Sequence, residues 1–311
     1  MEVIKSSTFD GIKIEPGLVI ALGSFDGLHL GHQAVIKETI EKAGKMNLPS
    51  GVYTFAPHPL EVLKPALVPP SLISPRQKIE ILTNLGIDYY FEQIFTREFS
   101  QLDYRTFVKD FLVDRLKIAH IVIGEDFRFG RRGKGDIHSL KKLGREFSFT
   151  VTGMETVKIG EQRVSSTTIR EMIQRGEISS VPEFFGRYYR LDGKVVHGAG
   201  RGQALGIPTA NLKLATDYAL PPRGVYACYV YFQGKKYRGI ANFGVKPTFA
   251  GKDYSIEVHI LDFPNQDLYG ENISIELVDF IREEMTFSSS EELVEQIKKD
   301  ILYTDSLLCY N

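Results

Sequence analysis

The sequence predicts two domains in series: an α/β domain built on a parallel sheet, then a closed, barrel-like β domain with one C-terminal helix. Three observations lead there. Short apolar runs alternate with helix-period segments as far as Gly176, and from Tyr188 onward strands and turns replace them. A chain of 311 residues, at about 150 per domain, suggests two cores. The boundary is expected near residue 184, giving domains 1–183 and 184–311.

The elements follow in order. Leu18-Val-Ile-Ala-Leu22 is apolar throughout, as a parallel strand buried on both faces should be. From about His29 to Lys45, Leu30, Ala34, Val35 and Ile40 recur at helical spacing, and Gly44 is the expected stop. Gly51–Phe55 reads as a strand, and Ser74-Pro75 opens a helix with a serine cap and proline in the first turn. Tyr89–Phe91, His120–Gly124 and Phe149–Thr152 are further strands, with a helix over Asp103–Leu116. A last helix, Thr167–Arg175, stops at Gly176. Strands alternating with helices imply right-handed crossovers and a parallel sheet.

In the second half, Gly224–Phe232 and Lys236–Phe243 flank a turn at Gln233-Gly234, a hairpin. Ser255–Leu261 alternates, placing Ile256, Val258 and Ile260 on one face and Glu257, His259 and Leu261 on the other. Ile273, Ile275 and Leu277 alternate likewise. Ser288 or Ser289 caps the final helix, Glu291 or Glu292 completes a capping box, and Leu293, Ile297 and Ile301 form its apolar stripe.

Composition narrows the function. Lys plus Arg (38) balances Asp plus Glu (39), which argues against a general nucleic-acid or anionic-membrane binder. Two cysteines, Cys228 and Cys309, cannot build a disulfide framework, and no Cys/His spacing suggests zinc. The N-terminus has no apolar core of a secretory signal and no segment is long enough to span a bilayer, so a cytoplasmic protein is expected.

Chemistry concentrates in two places. Residues 23–32 read Gly-Ser-Phe-Asp-Gly-Leu-His-Leu-Gly-His, where the first apolar strand hands over to the first helix. Gly23, Gly27 and Gly31 let backbone approach an anion, and the helix N-terminus offers free N–H groups. His29 and His32 emerge on one side of the first turn and suit a triphosphate. A tight turn with a capping and a surface histidine is the plainer alternative. Downstream, Ser165, Ser166 and Thr167 precede a helix bearing Arg170, which fits either an anion site or an N-cap with a surface arginine. Asp126, at a strand end, is a magnesium or ligand contact or a turn aspartate.

The His-Leu-Gly-His element resembles the HxGH nucleotidyltransferases, and the longer run is similar to their flavin-adenylylating branch. Thr54-Phe-Ala-Pro-His-Pro59, Gly124-Glu-Asp-Phe-Arg-Phe-Gly130 and Arg163-Val-Ser-Ser-Thr-Thr-Ile-Arg170 fit the same branch. The resemblance implies a Rossmann-like domain with His29 and His32 catalytic. It also implies nucleotide contacts at Gly23, Phe25, Gly31, Ser166, Thr167 and Arg170, and flavin contacts at His58, Asp126 and Arg163.

The second place is residues 197–211, His-Gly-Ala-Gly-Arg-Gly-Gln-Ala-Leu-Gly-Ile-Pro-Thr-Ala-Asn. Its glycines do not give G-x-G-x-x-G, and no P-loop occurs in the chain. What remains is a glycine-rich anion nest followed by the oxygen ligands Thr209 and Asn211, a donor set suited to Mg²⁺ beside phosphates; a loop with polar caps is the alternative. This stretch resembles the riboflavin kinases, as do Asn242-Phe-Gly-Val-Lys-Pro-Thr248 and Glu257-Val-His-Ile-Leu-Asp-Phe263. The resemblance implies Glu257 as catalytic base, nucleotide contacts at Gly198, Gly200, Gly202 and Pro208, and flavin contacts at Asn242 and Arg282.

Both motif sets in one chain imply a member of the bifunctional riboflavin kinase/FAD synthetase family. Its substrates are then riboflavin, FMN and ATP with Mg²⁺, and its products FAD, ADP and pyrophosphate, from a monomer or weak oligomer with no nucleic-acid or membrane partner. Two rival functions are an HxGH adenylyltransferase for another acceptor with an accessory barrel, and a flavin-binding protein with degenerate sites.

Overall fold

The computed structural model describes residues 1–11, 17–198, 206–248, 251–264 and 266–308. It divides into two compact units, 1–69 with 75–165, and 70–74 with 166–311.

The first unit is a six-stranded, wholly parallel sheet. Its strands are β1 (Glu2–Ser6), β2 (Leu18–Leu22), β3 (Ser50–Ala56), β4 (Tyr89–Ile94), β5 (Ile118–Gly124) and β6 (Thr150–Met154), in spatial order β1-β4-β3-β2-β5-β6. From β2 the chain winds outward through β3 and β4, then returns to β2's other side for β5 and β6. The winding reverses between β2 and β5, the position where open α/β sheets form a crevice at their carboxyl ends. All of β2 is buried, and one face of the sheet packs Leu18, Ile20, Tyr53 and Phe91 into a core with Phe107, Leu112 and Leu140.

Helix α1 (Leu30–Met46) runs past Gly44 and stops at Asn47, which takes the left-handed conformation (φ 53°) that the glycine was expected to supply. Then come α2 (Pro59–Leu63), α3 (Pro75–Leu85) and the short α4 (Tyr104–Thr106), whose Asp103 cap receives two backbone N–H groups. The expected helix over Asp103–Leu116 exists, but Phe107–Arg115 winds as a π-helix. Helix α5 (Ile137–Phe147) precedes β6. Strand β1 was not foreseen. It pairs with β4 at the sheet edge and carries exposed Glu2, Val3 and Lys5 in place of an apolar run.

After its 70–74 segment, the second unit continues with α6 (Ser166–Arg175), closed by Gly176 at φ 80°, and α7 (Val181–Phe185). A small β7–β8 hairpin, Lys158–Ile159 with Gln162–Arg163, precedes them in the first unit. Six antiparallel strands then close into a barrel in the order β10-β13-β12-β11-β14-β9. They are β9 (Tyr189–Val196), β10 (Ala210–Leu214), β11 (Gly224–Phe232), β12 (Lys235–Thr248), β13 (Gly251–Ile260) and β14 (Asn272–Arg282). Gln233 and Gly234 both have positive φ (48° and 77°), as a two-residue hairpin turn requires. Tyr226, Phe243 and Phe280 meet edge to face and, with Ile256 and Val258, occupy the same side of the strands, filling the barrel. Helix α8 (Ser290–Leu308) lies on the opposite, outer side against β11 and β12.

Candidate functional sites

The first constellation sits at the carboxyl end of β2, beside the switch between β2 and β5. His29 is the N-cap of α1, its Nδ1 accepting the His32 backbone N–H at 3.3 Å. An accepting Nδ1 carries no proton, so the neutral ring keeps its hydrogen on Nε2, a donor for an anionic oxygen. The residue that caps the helix is thus also one of the two histidines expected to meet a triphosphate. The two imidazoles stack with centroids 3.7 Å apart and 17° between planes, and Phe25 stands edge-on to His32 at 5.4 Å.

Small residues make this possible. A Cβ at Gly31 would lie 3.2 Å from the His29 ring, and one at Gly23 would lie 3.0 Å from the buried Phe25 ring. Phe25 (φ 50°) and Leu28 (φ 46°) both hold left-handed conformations unusual for such side chains, and Gly27 (φ 87°) lies between them. The Ser24 carbonyl accepts the Thr54 hydroxyl at 3.0 Å and the Lys78 ammonium at 3.4 Å. Lys78 had no motif to announce it.

At the carboxyl end of β5, Asp126 forms an ion pair with Arg163, so the two expected flavin contacts hold each other. His58 caps α2: its Nδ1 accepts the Leu60 N–H at 3.2 Å, while its own N–H donates to Glu61 Oε1 at 3.0 Å. In the second unit, Ser166 and Thr167 form the first turn of α6, and Arg170 Nε donates to the Pro70 carbonyl at 2.7 Å.

The second constellation is a cavity of about 1310 Å³ on the outer side of the barrel, lined by Gly198, Pro208, Thr209, Asn211, Asn242 and Glu257. Asn211 on β10 and Asn242 on β12 both pair with Glu257 on β13. Directly paired residues share a face, with Cβ atoms about 5 Å apart, so the carboxylate stands between two amides. Gly198 backs this row, because a Cβ there would overlap the Asn211 amide.

His259, two residues from Glu257 on the same face, also lines the cavity, and its Nδ1 donates to the Pro208 carbonyl at 2.8 Å. That bond fixes the turn presenting Thr209. The alternation of β13 carried the signal for His259. Tyr269, another lining residue the motifs did not indicate, lies against His197 with ring centroids 3.9 Å apart and planes tilted by 30°. Arg282 does not line the cavity; it is bound to Asp300 of α8, NH2 to Oδ2 at 2.8 Å. Gly200 and Gly202 lie outside the described residues.

Among the described residues, no cluster of three or more His, Cys, Asp or Glu forms a metal cage, and no helix is long and apolar enough to cross a membrane. Residues 12–168 match the family model for FAD synthetase, and residues 185–308 match that for riboflavin kinase.

Curated relatives named bifunctional riboflavin kinase/FMN adenylyltransferase include those of Escherichia coli K12 and Listeria monocytogenes. The first is 38% identical over 93% of this chain and 92% of its own length, the second 39% over 91% and 90%. A solved structure from Streptococcus pneumoniae, described as a macrolide-efflux protein, superposes with a TM-score of 0.87 at 32% identity, covering 98% of this chain and 99% of its own.

Proposed function

From the premise that this chain belongs to the bifunctional riboflavin kinase/FMN adenylyltransferase family, we propose how its residues divide the two reactions. The chain is a transferase that phosphorylates riboflavin to FMN with ATP and adenylylates FMN to FAD. The functional boundary is proposed near residue 184, within the interval that the two family models leave between 168 and 185.

Phosphorylation belongs to the barrel cavity. The observation that carries this is the row Asn211, Glu257, Asn242 beside Thr209. Glu257 takes the proton of the terminal ribityl hydroxyl as that oxygen bonds to the γ-phosphorus of ATP; the bond from γ-phosphorus to the β–γ bridging oxygen breaks, and ADP leaves. The flanking amides keep the carboxylate aimed at the hydroxyl, and Asn242 lies where the flavin side of the cavity is expected. Gly198 and Pro208 line the nucleotide side.

The oxygen donors of Thr209 and Asn211 fit Mg²⁺, which shares its coordination with phosphates more readily than it enters an all-protein cage. When bound, the ion would neutralise charge on the phosphates.

Adenylylation belongs to the β2–α1 loop. A phosphate oxygen of FMN bonds to the α-phosphorus of ATP, and the bond to the β-phosphate oxygen breaks, releasing pyrophosphate. The attacking group is already an anion, so no general base is needed. His29 Nε2–H and His32 bind phosphate oxygens and stabilise the leaving pyrophosphate. Gly23, Phe25 and Gly31 shape the loop, and Ser166, Thr167 and Arg170 are assigned to nucleotide binding. His58, Asp126 and Arg163 are assigned to the flavin side.

The assignment is tested with Glu257→Gln in the full chain. FMN formation from riboflavin should fall by at least about 100-fold, while FAD formation from supplied FMN stays near wild type. Loss of both, or of neither, contradicts it.

A further inference from the structure

We propose that Lys78 is a positioning residue for adenylylation, fixing through the Ser24 carbonyl the turn that sets the His32 ring. This rests on the assignment of His29 and His32 to that reaction. Lys78 projects from α3, a helix none of whose residues belongs to either motif set. Its ammonium reaches the Ser24 carbonyl at 3.4 Å, and the Thr54 hydroxyl from β3 reaches the same oxygen at 3.0 Å. A carbonyl has two lone pairs, so both are engaged.

The next residue is Phe25, at φ 50°. An L residue keeps that conformation only where its surroundings over-determine it. Its ring is 1% exposed, packs over Gly23 and stands edge-on to His32, which in turn stacks on His29. From Lys78 to the imidazoles, each residue fixes the next. If the Ser24–Phe25 peptide rotates, the loop loses the wall that aligns His32.

Charge distinguishes Lys78 from Thr54. Burial pushes its ammonium below the usual lysine range, while Asp26 of the loop and Glu92 of β4 oppose that. Glu92 is itself engaged by Lys5 of β1 at 2.9 Å and by the Tyr90 hydroxyl at 2.9 Å. A lowered value means that Lys78 loses its proton at lower pH than a free lysine, and the neutral amine is the weaker donor to the carbonyl. Adenylylation should therefore decline on the alkaline side with this group.

The test uses the full chain, with FAD formation from FMN and ATP measured over pH for wild type, Lys78→Met, Lys78→Arg and Thr54→Val. A misplaced imidazole weakens the transition state rather than substrate binding. Lys78→Met should lower kcat about 30-fold with KM within about threefold. Thr54→Val should lower it less, and the double variant should be no worse than Lys78→Met. Lys78→Arg stays charged, so its alkaline decline should move to higher pH than wild type.

The proposal is overturned if Lys78→Met makes FAD at a rate within threefold of wild type, or if the alkaline limb of Lys78→Arg coincides with that of wild type. Should Lys78→Met not fold, the Arg limb and the Thr54→Val rate decide. A wild-type chain unable to make FAD would instead overturn the assignment of the histidines.

Discussion

At the scale of single residues, position and chemistry prove hard to separate. His29 is a helix cap whose capping bond also decides which nitrogen keeps the proton, so the cap is no argument against the proposed catalytic role. Gly198 is glycine because the Asn211 amide occupies the space of its Cβ. Gly198→Ala should push Asn211 away from Glu257 and lower riboflavin phosphorylation about 100-fold, since displacements of about 1 Å cost that much. FAD formation from FMN should be unaffected, and a steady-state comparison of the two activities checks it. The placement of Glu257 in the cavity was legible because it lies in a recognisable run and alternates with buried neighbours. Lys78 was not, because its role depends on a carbonyl 54 residues earlier in the chain, a pairing that no spacing encodes.

At the scale of elements, structure is legible in the sequence where a periodic pattern meets a buried face. All of β2 is buried, and Ile273, Ile275 and Leu277 of β14 turn inward as alternation required. Strand β1 is not legible there, since an edge strand with exposed Glu2, Val3 and Lys5 shows no apolar run. Helix α8 is buried along a different line from the one its apolar residues mark. The expected stripe of Leu293, Ile297 and Ile301 is half-buried, whereas Asp300, Thr304 and Leu308 are the buried positions.

Helix α8 is thus anchored partly by polar bonds: Asp300 to Arg282, Asp305 to Arg238 at 2.8 Å, and the Tyr229 hydroxyl to the Leu308 carbonyl at 3.4 Å. Asp300→Ala strands the Arg282 guanidinium and should cost about 3 kcal/mol, read from the urea midpoint of the second unit. The expected capping box is present in shifted form: Ser289 Oγ accepts the Glu292 N–H at 3.2 Å, and Glu292 accepts the Ser288 N–H at 2.9 Å.

In α5, Asp136 caps Ser139, whose backbone and side-chain hydrogen bonds hold the carboxyl below the usual aspartate range. A depressed value stabilises the folded state above the unfolded carboxyl's pKa of about 3.9, and that contribution disappears as pH falls through the folded value. Asp136→Ala should therefore cost about 1 kcal/mol at pH 7, and the difference should shrink below about pH 4. Chemical denaturation at the two pH values measures it.

At the scale of the whole molecule, the proposed sites lie where each architecture makes room for a ligand. The parallel sheet makes a crevice where its winding reverses, and the β2–α1 loop and Asp126 lie at carboxyl ends of the strands that flank it. The six-stranded barrel is filled with side chains, so its cavity lies on the outer face, where β10, β13 and β12 set three polar groups abreast. The class of both folds was legible because strand and helix periods differ so plainly between the halves.

The central claim is that these are two independent active sites working in series. Mixing Glu257→Gln with the His29→Ala/His32→Ala double variant, then supplying riboflavin, ATP and Mg²⁺, tests it most directly by chromatography. Alone, the first variant should leave riboflavin unconverted and the second should stop at FMN; together they should produce FAD. A mixture that accumulates no FAD, or a double variant that continues to make it alone, would contradict the account.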